Sequence, residues 1–249
     1  MSARVLIILF CLALAAVGLR MALAEDASAS DRGDLWRVVH NICAPMDRIA
    51  GVPLPCLKLD RDKGVAVVRA PYDVTRIIVV PTQKIAGVES PVLLRGDAPN
   101  LWSTAWSNRG AVTAAAPRPL AWNDIGMAVN SSSRRTQDQL HIHVDCVDAR
   151  LKRALQARPP RRAGWFDLDL DPWADRYRAK RLDDAGLDRN IFKMVADEIP
   201  GAKTHMGDQS VAVVGYESAA GARGFVVLTS GDGGHAEELL DHECSGNRR

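Results

Sequence analysis

Eight consecutive residues, Gln139-Leu140-His141-Ile142-His143-Val144-Asp145-Cys146, alternate polar and apolar side chains. Read as a strand, they put Gln139, His141, His143 and Asp145 on one face and Leu140, Ile142, Val144 and Cys146 on the other, toward a core. Two imidazoles then stand about 6–7 Å apart along a rigid element. Two chemistries use such a pair. In the first, one imidazole is a nucleophile toward phosphorus. Its near N–H is held by a backbone carbonyl, and the second ring orients it or handles the leaving-group proton. In the second, both rings hold a divalent metal, with Asp145, His205 or His242 as further ligands. A pair of surface histidines on an edge would do neither.

The loop before this segment is rich in donors. Asn130, Ser131, Arg134, Arg135, Thr136 and Gln137 offer amide, hydroxyl and guanidinium groups. Arginine forks match phosphate oxygens, and they stabilise developing charge without a metal. The expectation is a phosphate-binding loop leading into a nucleophile strand. The plainer reading is a solvated hairpin turn. Asn130-Ser131-Ser132 also fits a glycosylation sequon, a pattern short enough to occur by chance.

The elements that must position these residues follow from periodicity. Asp34 caps a helix with apolar positions at Leu35, Val38, Val39 and Ile42, and Pro45 and the prolines at 53–56 end it. Strands are predicted near 65–69, 76–81, 125–131 and 140–147. A helix follows Pro99-Asn100, with Trp102 and Trp106 on one face. Helices are predicted at 148–158 and 190–199, a β-hairpin at 211–217 and 224–230, and a short helix at 235–243. The stretch 161–187 reads as irregular. Strands paired as hairpins, without regular βαβ alternation, indicate an α+β fold with an antiparallel sheet. The hairpin and last helix would be a C-terminal extension of it.

The composition is globular: 47% hydrophobic and 25% charged, which excludes a disordered or collagen-like chain. A net charge of +2 gives no field for nucleic acid. Residues 1–24 carry Arg4, an uncharged run from Val5 to Leu19, and Ala22-Leu23-Ala24 before Glu25. That is a signal peptide or a signal anchor. Residues 25–33 read as a tether and 34–249 as the catalytic domain. Cys11 lies in the apolar run, leaving Cys43, Cys56, Cys146 and Cys244. An even number in an exported chain predicts two disulfides, and of three pairings Cys43–Cys56 with Cys146–Cys244 is preferred. No C-x-x-C zinc spacing is present.

Gln-Leu-His-Ile-His-Val at 139–144 resembles the histidine-triad signature, His-φ-His-φ-His-φ-φ. The wider text is similar to the CDP-diacylglycerol pyrophosphatases, an exported branch of that superfamily. The matching stretches are 81–94, 99–106, 128–147, 198–207 and Asp241-His242-Glu243-Cys244. The resemblance implies a histidine-triad sheet flanked by helices, and hydrolysis of CDP-diacylglycerol to CMP and phosphatidate. It makes His141 the nucleophile of a CMP-histidine intermediate and His143 its partner. Asn130 falls where an amide binds nucleotide or phosphate, and Thr136 and Gln137 fall in the phosphate-cradling loop. Gln139 occupies the first triad position, where the signature has histidine, and a glutamine amide can also donate and accept there.

No cofactor is implied, and the expected partners are the nucleotide lipid and a membrane surface. Oligomeric state stays open. The chain would sit at the inner membrane with its catalytic domain in the periplasm, either anchored or cleaved and released. Trp165, Phe166 and Trp173 could form an interfacial lip, with ordinary core packing the simpler expectation. Two other functions compete. One is a zinc-dependent phosphohydrolase on His-x-His-x-Asp. The other is a non-enzymatic module that binds a nucleotide or lipid head group.

Overall fold

A computed structural model describes residues 31–160, 164–170 and 176–245. The expected N-terminal hydrophobic segment lies outside the described residues. Among those described, no helix is long and apolar enough to cross a membrane. The first described residues are pinned: Arg32 makes a two-pronged ion pair with Asp138, 2.8 Å in both contacts.

The core is a ten-stranded antiparallel sheet. Its strands are β1 Lys58–Asp60, β2 Val65–Arg69, β3 Ile77–Pro81, β4 Ile125–Val129, β5 Ile142–Val147, β6 Phe166–Leu168, β7 Tyr177–Asp183, β8 Ser210–Glu217, β9 Arg223–Ser230 and β10 Leu240–Asp241. The order is β1-β2-β3-β5-β4-β8-β9-β7-β6, and β10 pairs with the end of β5. The expected α+β class and antiparallel sheet are therefore present. The hairpin β8–β9 is not an extension, because β8 pairs with β4 and continues the same sheet. The expected helix at 235–243 is a short turn, Ala236–Leu239, followed by β10. The stretch read as irregular supplies β6 and β7, whose mixed charges hide the alternation.

One face of the sheet carries the large core. Val67, Val79, Ile142, Val144, Met127, Val213 and Val227 pack there under two helices, α2 Leu101–Ser107 and α5 Ile191–Glu198. Asn100 and Asn190 cap these helices by accepting from Ser103 and Lys193 N–H groups. The other face is covered in two separate places. The N-terminal helix α1 runs Asp34–Arg37, Val38–Cys43 and Ala44–Ala50, and Val39 and Cys43 pack on Ala66, Ile78 and Val80. Helix α4 Ala149–Ala157 packs Leu151 and Leu155 with Val214, Val226 and Leu228. A shorter helix, α3, spans Gly110–Ala115.

Pro45 does not end α1 as the sequence suggested. The middle turn is π-helical, and Ala44 N–H donates to Val39 O, five residues back. A proline in a regular α-helix clashes with the carbonyl four residues before it, and the wider turn avoids that clash.

The register explains where the two coverings part. Row neighbours across the sheet are Val68, Ile78, His143, Ala128, Ala212 and Leu228. Ile78 belongs to the cluster under α1, and Ala128 to the cluster under α4. His143 stands between them. The gap is a cleft of about 1020 Å³. Both expected disulfides are present, Cys43–Cys56 and Cys146–Cys244.

Candidate active site

β5 carries His143, and the extended residue just before it, His141, reaches the same cleft floor; the strand expected from 140 begins only at Ile142. Alternation sends Leu140, Ile142, Val144 and Cys146 into the large core and His141 and His143 the other way. The rings meet edge to face, with centroids 4.7 Å apart. The Nδ1–H of His141 donates to the carbonyl of Gln139 at 2.7 Å. That bond fixes the tautomer and leaves the Nε2 lone pair available. Burial, together with the nearby Arg135 and Arg76 charges, lowers the His141 pKa against the opposing pull of the Gln139 carbonyl. Burial also pushes His143 well below the usual histidine value, reinforced by His141, Arg76, His242 and His235. Both rings are therefore neutral at neutral pH. Both His143 nitrogens are buried without a hydrogen bond, and Glu237 Oε2 lies 3.4 Å from Nε2. Buried ring nitrogens are normally satisfied, and two left open mark a place where protons or ligand atoms are handled.

Gln139 supports the site from beneath. Its side chain is fully buried and saturated: Nε2 donates to Pro81 O and Gln83 O, both at 2.9 Å, and Oε1 accepts from Ile85 N–H at 3.2 Å. Its backbone carbonyl, rather than its side chain, orients His141.

The donor loop divides. Thr136 and Gln137 line the cleft. Gln137 also accepts from Leu35 N–H at 2.8 Å and so joins the loop to α1. Asn130 clasps Glu237: Nδ2 donates to Oε2 and Oδ1 accepts from the Glu237 N–H, both at 3.0 Å. Ser131 Oγ donates to Gly234 O. Arg135 is held between Glu89 and Asp138, at 2.7 and 3.0 Å. Arg134 is exposed and reaches Gly233 O. Half of the loop thus fastens residues 233–237 over the sheet.

What it fastens was not legible from the sequence. Glu237 is a hub: Arg76 pairs with its Oε1, and His242 Nε2 lies 3.6 Å from the same oxygen. His235 Nε2 lies 3.5 Å from Oε2. Arg76 also pairs with Asp73, and its buried Nε has no partner among the described residues. The cation beside the histidines is therefore Arg76, just before β3, and Arg150 also lines the cleft. The available signals were that Arg76 opens a strong strand, that His242 could serve as a further metal ligand, and that residues 241–244 lie in a matching stretch. Nothing singled out Glu237. His205 is exposed beside Asp208 and takes no part.

His141, His143 and Asp145 do not assemble a metal-ligand set. Asp145 turns to His242 Nδ1 at 3.0 Å. Among the described residues, the one group of three ligand atoms within 4.8 Å is Asp145, Cys146 and Cys244, and both sulfurs are in a disulfide. Trp165 packs on the large core with its Nε1 donating to Glu198, and Phe166 packs on the cluster under α4. Trp173 lies outside the described residues.

The cleft lining combines two chemistries, the polar set Arg76, His141, His143, His235, Glu237 and His242 and the apolar set Leu35, Val38, Val68, Pro71, Tyr72 and Ile78. A site of this kind suits a ligand with an anionic part and an apolar part.

Comparison with known proteins agrees. The family model described as CDP-diacylglycerol pyrophosphatase matches residues 30–248. A CDP-diacylglycerol pyrophosphatase of Yersinia pestis is 33% identical over 227 residues, which cover 86% of this chain and 85% of the relative. One from Mycobacterium bovis is 30% identical over 221 residues, covering 87% and 84%. A probable CDP-diacylglycerol pyrophosphatase of Mycobacterium leprae is 30% identical over 227 residues, covering 89% and 83%. A match that runs through the strands, the cleft loop and the C-terminal segment alike shows that this chain belongs to the CDP-diacylglycerol pyrophosphatase family of hydrolases.

Proposed function

We propose that the protein hydrolyses CDP-diacylglycerol to CMP and phosphatidate through a covalent CMP–His141 intermediate, as a relative of the histidine-triad enzymes. The observation that carries this reading is the His141 tautomer. With Nδ1–H committed to the Gln139 carbonyl, Nε2 is the free lone pair on the cleft floor.

In the first step Nε2 attacks the cytidylyl phosphorus. The P–N bond forms, the anhydride P–O bond breaks, and phosphatidate leaves with the electron pair. Arg76 faces the developing charge, and the Thr136–Gln137 backbone and side chains border the same space. In the second step water attacks the phosphorus, the P–N bond breaks, CMP leaves, and His141 regains its neutral lone pair. The water proton passes to a neighbouring base, and neutral His143 beside Glu237 is placed to receive it.

Export and a membrane location belong to this reading. They are supported by the apolar run Val5–Leu19 and by two disulfides, which persist in oxidising compartments. The test is turnover of CDP-diacylglycerol in detergent micelles with chelator present, assayed for CMP. Wild type should release CMP and His141→Ala should not. Acid-labile cytidylyl label on the wild-type protein should be absent from the variant. Full activity of a folded His141→Ala protein would overturn the nucleophile assignment.

A further inference from the structure

The large apolar side chains that stay exposed are not scattered. Among the described residues they are Ile42, Met46, Ile49, Val52, Leu54, Leu57, Tyr72 and Val74. All belong to two segments, α1 with the loop after it and the turn between β2 and β3. Ile42, Met46 and Ile49 follow one another at four and three residues, so α1 buries Val39 and Cys43 on the sheet and shows a second apolar stripe outward. Ile49 is 84% exposed and Val74 is 74% exposed. Tyr72 is fully exposed and sits at φ 67°, in the left-handed region that residues with side chains avoid. The backbone there holds an aromatic ring outward beside the cleft it lines. The Cys43–Cys56 disulfide ties α1 to its following loop, so the stripe and Val52, Leu54 and Leu57 form one braced unit.

A clustered apolar surface of this kind marks an interaction site. Two observations identify the occupant. The two segments meet at the cleft, since Leu35 and Val38 of α1 and Tyr72 of the turn line it together. In addition, the uncharged run Val5–Leu19 precedes α1 in the chain, and Arg32 fixes the entry to α1 on Asp138. A chain inserted in a bilayer by that run would bring α1 to the lipid surface first.

We propose that the outer stripe of α1, its disulfide-braced loop and the Tyr72–Val74 turn form a docking surface for the lipid bilayer. A nucleotide lipid would then enter along the apolar lining while its acyl chains remain in continuous contact with the membrane. This part rests on the substrate reading above, whereas the docking itself does not.

The test uses the full chain reconstituted in phosphatidylcholine–phosphatidylglycerol vesicles. A bilayer-partitioning photoactivated carbene reagent maps which segments touch lipid. Residues 42–57 and 72–74 should be labelled, and Ile49→Asp with Val74→Asp should abolish that labelling with the thermal transition retained. The double variant should also lose about tenfold in turnover of vesicle-borne CDP-diacylglycerol, because two apolar contacts become charges to be dehydrated. Turnover of a short-chain, monomeric CDP-diacylglycerol should stay within about twofold, since neither residue touches the histidines. Absence of labelling in these segments overturns the docking surface, as does cross-linking of this face to a second copy. Labelling without any CMP release from wild type would overturn the substrate reading and leave the docking surface standing.

Discussion

His242 Nδ1–H donates to Asp145 Oδ2 at 3.0 Å, joining the C-terminal segment to the strand that carries His143. Asp145 is fully buried, and its other oxygen accepts from the Cys146 N–H at 2.9 Å. The bond turns His242 Nε2 toward Arg76 Nη1 and Glu237 Oε1, at 3.5 and 3.6 Å.

His242→Asn keeps a donor for Asp145 and removes the second ring nitrogen. The variant should remain folded and lose on the order of a hundredfold in kcat, the scale of a displaced acid–base group. His242→Ala should in addition lower Tm, because it removes the donor from a buried carboxylate. An unchanged kcat and pH profile for the asparagine variant would make the pair a brace only.

Gln139→Ala should be a stability variant. It strands two carbonyls and an N–H in the interior, at about 1–3 kcal/mol for each group left unsatisfied. The carbonyl that holds His141 remains, so kcat of the folded fraction should stay within a few-fold. A parallel loss of kcat at temperatures where the variant is fully folded would place the side chain in the reaction instead.

The depressed His143 pKa has a consequence for stability. Its folded value lies well below 6.5 and its unfolded value is ordinary. As pH falls below about 6.5 the unfolded chain takes up a proton that the folded chain refuses, so stability declines toward acid and rises with pH through that value. Urea titrations at pH 5 and pH 7.5 should show a smaller pH dependence for His143→Asn than for wild type. Equal dependence in both would remove His143 as the cause.

Cys146→Ser with Cys244→Ser removes a link across 98 residues. Chain-entropy arguments put such a loop at about 4–5 kcal/mol, and β10 with the Asp148–Leu239 hydrogen bond offers only short backbone pairing in its place. Turnover should fall more than Tm alone explains, since Glu237 and His242 depend on that segment's position. Retained turnover in the folded double variant would show that pairing of β10 suffices.

The strands near the site were legible because β2 and β3 are short β-branched runs and the segment leading into β5 alternates. Val65–Arg69 fell in an expected strand, whereas β5 starts at Ile142, two residues later than expected, and leaves Gln139 and His141 in the approach to it. The disulfides were legible from the even number of cysteines outside the apolar run. β6 and β7 were not, because Arg178, Lys180 and Arg181 mask their period. The site was only half readable for a related reason. His141 and His143 are two apart in one extended run, whereas Arg76, Glu237 and His242 meet them through long-range pairing that no local spacing encodes. Asn130 and Arg135 looked like ligand donors because amides and guanidinium groups serve carboxylates as readily as phosphates, and in the fold Glu237, Glu89 and Asp138 claim them.

The fastening of residues 233–244 onto β5 sets an order of events during biogenesis. His141, His143 and β5 are synthesised well before Glu237 and His242, and the disulfide that helps to seat the later pair forms only where thiols are oxidised. A nascent chain that stops before residue 233 carries His141 and His143 without the groups that complete their cleft. In the proposed reaction, turnover would therefore begin only once the last residues of the chain have been made and seated.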